Sequence, residues 1–289
     1  MTFNVTQLND ADEFVGCTAA LRATDLIGSS LIASIAEAAR KANDGATQFW
    51  IAATKEPTAY ALTSSRGVVL SPFASPEDAD ALGECIAKNV TYELPQVNGQ
   101  ADSIEAFARG FSRVHPNATF HHKFTILVYE LKALAIPSNV PGALRVATKE
   151  LDLELLIEWS NAFFKHVNES FAGVNTFVTG YLERQALFVW EVNGYPVGFL
   201  SFSEPFLVGN TTVYKIGPVY TAPEERRKGY ASAMTAALSQ RLQQLCPTSS
   251  CRIMLNADAA NPASNKAYQN VGFVLHSESA TYTIQHHTT

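Results

Sequence analysis

Two short runs in the second half of the sequence carry the residue types of a group-transfer site. The first is Gly217-Pro218-Val219-Tyr220-Thr221-Ala222-Pro223-Glu224-Glu225-Arg226-Arg227-Lys228-Gly229-Tyr230-Ala231, in which a strand pattern ends in a charged loop. Gly229 and Ala231 then stand at the mouth of a helix. The first turn of a helix holds backbone N–H groups without intrahelical partners and a partial positive charge, so it binds phosphate oxygens readily. Small residues at 229 and 231 leave that approach open, and Arg226, Arg227 and Lys228 add local cationic charge. This is the outline of a pyrophosphate site. Taken alone, the same residues also suit a plain solvated loop ahead of a tightly packed helix.

The second run, Asn261-Pro262-Ala263-Ser264-Asn265-Lys266-Ala267-Tyr268-Gln269-Asn270-Val271-Gly272-Phe273, follows the next strand pattern. Asn261 is a good N-cap, Pro262 suits the first helical position, and Gly272 closes the helix. Tyr268 lies seven residues after Asn261, two turns along and on nearly the same face. In most helices such a tyrosine only packs; combined with the first run, a functional tyrosine becomes the better reading.

Together the two runs resemble the signatures of the GCN5-related N-acetyltransferase (GNAT) superfamily. Arg226-Arg227-Lys228-Gly229-Tyr230-Ala231 is similar to its acyl-CoA signature, and Asn261, Ser264, Asn265, Tyr268, Gly272 and Phe273 to its C-terminal motif, in the same order with a helix and a strand between them. The resemblance covers about Ala143 to Gln285 and is firm from Lys215 to Phe273. It implies an α/β (α+β) fold with a mixed, mostly antiparallel sheet flanked by helices, and acetyl-CoA as acyl donor with no metal. Backbone groups of Arg226, Arg227, Lys228, Gly229, Tyr230 and Ala231 would bind the pyrophosphate. Gly217, Val219 and Tyr220 would pair with the pantetheine arm, Asn261 and Ser264 would contact the cofactor, and Tyr268 would protonate the departing thiolate. An amine must also lose a proton before it attacks. Glu204 and Asp258 are equal candidates for that base, with His166 a third, and no motif supports any of them.

The elements that must position these residues can be read from hydrophobic period and turn chemistry. In the first half, a helical stretch is expected from Asp10 to Lys41, with Leu21, Leu26, Leu31, Ile32 and Ile35 inward. Strands follow at 48–54, 58–63 and 67–71. Ser75-Pro76-Glu77-Asp78 opens a helix to Asn89, a second helix covers 103–114, and a strand runs over 120–131. After 135–142, a segment with two prolines and a glycine, the order repeats. A strand is expected at 144–147, helices at 151–166 and 171–184, and strands at 187–192 and 197–203 around the hairpin signal Asn193-Gly194. A strand at 211–220 and a helix at 228–245 carry the first run. A strand at 252–256 and a helix at 262–270 carry the second, and short strands at 273–276 and 281–285 finish the pattern. The expected division is a diverged, non-catalytic GNAT-like domain over 1–134, a linker over 135–142 and a catalytic domain over 143–289.

Composition narrows the partners. The 289 residues are 47% hydrophobic and 17% charged, which excludes general disorder. A net charge of -6, from 21 Lys+Arg against 27 Asp+Glu, suits neither nucleic acid nor a transferase fed by charged tRNA, and it fits a cationic amine acceptor. Four scattered cysteines make no disulfide framework, and Cys246 and Cys251 lack the partner motif of a zinc site. Met1 to Thr6 lack the basic start of a secretory signal, and Leu26 to Ala39 are too polar to span a membrane, so a cytoplasmic protein is expected. An acyl-CoA-binding sensor without catalysis is the alternative; it would keep the loop and have no need of Tyr268.

Overall fold

The computed structural model describes residues 4–8, 10–42, 45–167, 173–208, 210–246 and 250–286. They form two compact units. The first comprises residues up to Val128 together with Asp258–Ala260 and the segment from His276; the second comprises Tyr129–Ala257 and Asn261–Leu275.

In the first unit the elements are β1 (Asn4–Leu8), α1 (Ala11–Cys17), α2 (Ala19–Thr24), α3 (Ser30–Ala42), β2 (Gln48–Ala53), β3 (Pro57–Ser64), β4 (Gly67–Leu70), α4 (Pro76–Asn89), β5 (Gln96–Gly99), α5 (Ala101–Ser112) and β6 (Ala118–Leu131), whose last three residues count with the second unit. Strands β1 to β4 are antiparallel neighbours in chain order, and β4 pairs β5 in parallel. Alternation along the strands loads both faces of this sheet. Phe49, Ile51, Tyr60 and Leu62 face a core with Phe14 and Ile32, while Trp50, Ala52, Ala59 and Ala61 face one with Leu82, Ile86, Phe107 and Phe111.

The expected single helix over 10–41 is three. The Thr18 hydroxyl takes up Phe14 O at 2.6 Å where α1 passes into α2. The Asp25 carboxylate then accepts from Gly28 N at 2.9 Å, so the chain turns before α3 begins. Side chains that compete for backbone groups break the helix although the apolar spacing runs on. Leu31, expected inward, is exposed. β1 and β5 were not expected; β5 is four residues long, and its Asn98 and Gln96 look like loop.

The second unit holds β7 (Ala143–Val146), α6 (Lys149–His166), α7 (Val174–Glu183), β8 (Leu187–Val192), β9 (Tyr195–Phe202), β10 (Phe206–Val208), β11 (Thr211–Thr221), α8 (Tyr230–Gln244), β12 (Ser250–Asp258), α9 (Pro262–Val271) and the start of β13 (Phe273–His286). The sheet order is β7-β8-β9-β11-β12 with β10 on β11; β11 and β12 are parallel and the other pairs antiparallel. Residues 171 and 172 of the helix expected over 171–184 lie outside the described residues. Asn193 and Gly194 both have positive φ, 51° and 84°, as a type I′ hairpin turn requires. Helices α6 and α7 cover one face with Leu156, Trp159, Val178 and Leu182 against Leu187, Val189, Phe199 and Tyr220, and α8 packs on β9 and β11.

The division expected at 135–142 places the segment after 276 with the second half, whereas the described residues His276–His286 pack in the first unit. Strand pairing is the reason: β13 runs unbroken from 273 to 286, and Ala280 to Thr283 are in antiparallel register with Gly99 to Gln96 of β5. His286 lies within this strand, with its Nε2 3.4 Å from Leu94 O. His287 lies outside the described residues.

Candidate functional site

The parallel ladder between β11 and β12 pairs Thr211 with Ser250 through to Ile216 with Leu255 and stops there, although β11 continues to Thr221. On its other side β11 stays in register with β9, Val219 opposite Leu200 and Thr221 opposite Gly198, after an irregularity between Ile216 and Val219. The stretch Gly217–Thr221 therefore has a backbone edge free of β12. Ser201 Oγ donates to Gly217 O at 2.8 Å and fixes the strand at this point. Tyr220 is 7% exposed and stacks near Trp159 and Phe199, so only its backbone is offered at the open edge.

Beyond the strand, Pro223–Glu225 makes one 3₁₀ turn, and the loop is then braced from inside. Arg226 Nε donates to Thr221 O at 3.1 Å, and its backbone N–H is turned toward Pro223 O. Lys228 is exposed and paired with Glu225 at 2.8 Å, which raises its ammonium pKa above the usual range. Arg227 has φ 64°, a left-handed conformation uncommon for a side chain this large, and its exposed guanidinium makes no ion pair with a described residue. Gly229 has φ 84° and is the N-cap of α8. A Cβ there would stand 3.2 Å from Val140 Cγ2, so both conformation and space ask for glycine. No described residue accepts from the backbone N–H groups of Arg227 to Ala231. Tyr230 is buried, so at the helix mouth it too offers backbone alone. The outcome is a ring of bare N–H donors at a helix N-terminus, beside a strand edge able to hold an extended chain of amides.

Helix α9 brings the remaining groups. Asn261 caps it, its Oδ1 accepting from Ser264 N at 3.1 Å, so the oxygen is occupied and the amide NH₂ is what Asn261 could offer a ligand. Tyr268 is 7% exposed, its ring 6.4 Å from that of Phe273, and its hydroxyl makes no hydrogen bond to a described residue. Burial pushes the phenol up to about 12, so it stays protonated at neutral pH. A tie absent from any motif joins the two helices: Ser232 Oγ of α8 donates at 3.1 Å to the carbonyl of Ala267, the residue before Tyr268. Ser201, Ser232 and Val140 support the site without a sequence pattern to mark them, because their roles depend on contacts distant along the chain.

The three candidate bases lie on different segments of the chain. Glu204 is exposed in the segment between β9 and β10, His166 is exposed at the end of α6, and Asp258 falls in the first unit, accepting from Ala260 N at 2.8 Å. Among the described residues no three His, Cys, Asp or Glu side chains group as metal ligands, and no helix is long and apolar enough to cross a membrane. In the first unit, the helix placed like α8 after its strand is α4, and its mouth is closed. Ser75 Oγ accepts from Asp78 N and Asp78 Oδ2 from Ser75 N, each at 3.1 Å.

Residues 153–273 match the sequence model of the Acetyltransferase (GNAT) family. No curated protein matches the chain. Among solved structures, an acetyltransferase of the GNAT family from Colwellia psychrerythraea aligns over 97% of this chain and 99% of its own, with a TM-score of 0.64 at 14% identity. A GCN5-related N-acetyltransferase from Sphaerobacter thermophilus aligns over 98% and 95%, with a TM-score of 0.56 at 15% identity. A tandem GNAT protein from the clavulanic acid biosynthesis pathway aligns over 100% of both chains, with a TM-score of 0.53 at 12% identity. At such identities the likeness is one of fold, and it extends over both halves.

Proposed function

We propose that this protein transfers an acetyl group from acetyl-CoA to a primary amine of a small molecule or peptide, in keeping with the match of residues 153–273 to the GNAT family model and the full-length alignment with a tandem GNAT structure. The observation that carries the reading is the open edge of β11 leading to the bare N-terminus of α8, with a buried, protonated Tyr268 on the helix bonded to α8. The donor's pyrophosphate would accept from the N–H groups of Arg227 to Ala231, and its amide arm would lie along Gly217–Thr221. The neutral amine attacks the thioester carbonyl, the C–N bond forms, and the C–S bond breaks as Tyr268 gives its proton to the leaving sulfur. The proton lost by the amine passes to Glu204, Asp258 or His166 directly or through water. The catalytic domain is the second unit; in the first, the mouth of α4 is self-capped.

Release of free CoA thiol from acetyl-CoA, measured across a panel of primary amines with product mass confirmed, tests the proposal. Amine-dependent release with a product 42 mass units heavier supports it. Stoichiometric binding of acetyl-CoA without release above hydrolysis for every amine would make the protein a sensor instead.

A further inference from the structure

We propose that Cys246 and Cys251 form a reversible thiol–disulfide site at the junction of α8 and β12. Cys246 stands just past the end of α8, its N–H on Gln243 O at 3.3 Å. Cys251 is the second residue of β12, in parallel register with Thr212 of β11, and Tyr214 is two residues further along β11. Residues two apart on a strand, and register partners on the neighbouring strand, present their side chains to the same face. Cys251 and Tyr214 therefore share a face. The Tyr214 hydroxyl lies 3.5 Å from Cys246 Sγ, which places the second thiol on that face as well. The two thiols meet there: burial and then Cys246 itself hold the Cys251 thiol up at about 11.

Both thiols are half-buried and so reachable by a small reagent. No third metal-ligating side chain joins them among the described residues, so the pair suits covalent exchange better than a metal. A disulfide reagent such as oxidised glutathione supplies the oxidant. The Cys246 thiolate attacks one of its sulfurs, forming a mixed disulfide and expelling one glutathione thiolate. Cys251, after losing its proton, attacks Cys246 Sγ and expels the second. Two protein thiols become one disulfide, and the two protons end on two glutathione thiols. Because Cys251 holds its proton tightly, the closing step is slow at neutral pH and quickens as pH rises.

Cleavage after Arg241 and Arg252 leaves both cysteines in a single peptide, Leu242–Arg252, which makes the outcome readable. The folded chain is treated with oxidised glutathione at pH 7 and pH 8.5, quenched in acid, alkylated with iodoacetamide in denaturant, digested and weighed. The expected peptide is about 2 mass units lighter than its dithiol form and unalkylated, forms faster at pH 8.5, and returns to the dialkylated form if dithiothreitol precedes alkylation. Cys17 and Cys85, in the first unit, show alkylation or glutathione adducts only. In Cys251→Ser, Cys246 carries glutathione and the light peptide is absent. A parent peptide that emerges dialkylated, or carrying glutathione without the internal bond, at both pH values overturns the proposal.

Discussion

Replacing Tyr268 with phenylalanine separates chemistry from packing, because this hydroxyl touches little else. It has no hydrogen-bond partner among the described residues, so its removal strands no donor or acceptor, and the ring keeps its place beside Phe273. Deleting a buried hydroxyl that had no partner is close to neutral for stability, within about 1 kcal/mol, or a few degrees in Tm for a chain of this size. The cost falls on turnover. General acid catalysis contributes about 10²–10⁴-fold, and a thiolate leaves fairly well unaided, so a fall in kcat near 10²-fold is expected with KM for acetyl-CoA little changed. The raised phenol pKa adds a second signature. With a value about 12, only roughly 0.1% of Tyr268 is ionised at pH 9, so the parent loses no activity through this residue as pH climbs from 7 to 9. Steady-state kinetics of parent and Tyr268→Phe over that range, with melting temperatures alongside, decide the matter. A variant turning over within about twofold of the parent at equal stability would refute the assigned role.

Further perturbations probe the positioning of the site. Gly229→Ala puts a Cβ on a residue at φ 84° and 3.2 Å from Val140, costing about 1–2 kcal/mol and disturbing the N–H ring, so calorimetric titration should show acetyl-CoA binding at least tenfold weaker in a folded variant. Gly229→Glu, which adds charge as well, should abolish measurable binding; unchanged affinity in either would move the phosphate site elsewhere. The same titration of the parent should give one acetyl-CoA per chain, because Ser75 and Asp78 occupy the mouth of α4; a stoichiometry near two would contradict this. Asp152 is 1% exposed and takes both a bidentate contact from Arg145 and the Thr148 N–H. Asp152→Ala should therefore lower unfolding free energy by about 3 kcal/mol in urea, and a change under 1 kcal/mol would show the network to be dispensable.

Local chemistry was legible in the sequence and distant pairing was not. Ser75-Pro76 and Asp78 announced α4 and formed the capping box, Asn193-Gly194 announced the hairpin, and Asn261-Pro262 began α9 within the helix expected there. Each depends on groups three or four residues apart. Thr18 and Asp25 were equally local, yet the unbroken apolar spacing from Leu21 to Ile35 hid the turns they make. β5 and the continuous β13 pair with each other across about 180 residues, as with Gly99 and Ala280, and no short-range pattern records such a contact. At the site, the phosphate loop and Tyr268 were marked by motifs. The bracing from Ser201 and Ser232 was not, and the three candidate bases share no element that would bring them together.

The passage of β13 into the first unit orders events during synthesis. Residues up to Val128 leave the ribosome well before His276, and at about 5–20 residues per second the interval is roughly 7–30 s. For that time β5 offers Gln96–Gly99 as an unpaired edge, the kind of surface on which nascent chains associate wrongly. Its shortness, four residues, limits the hazard. The half made first is thus completed last, and its stability becomes available only once the half that carries the phosphate loop has been built.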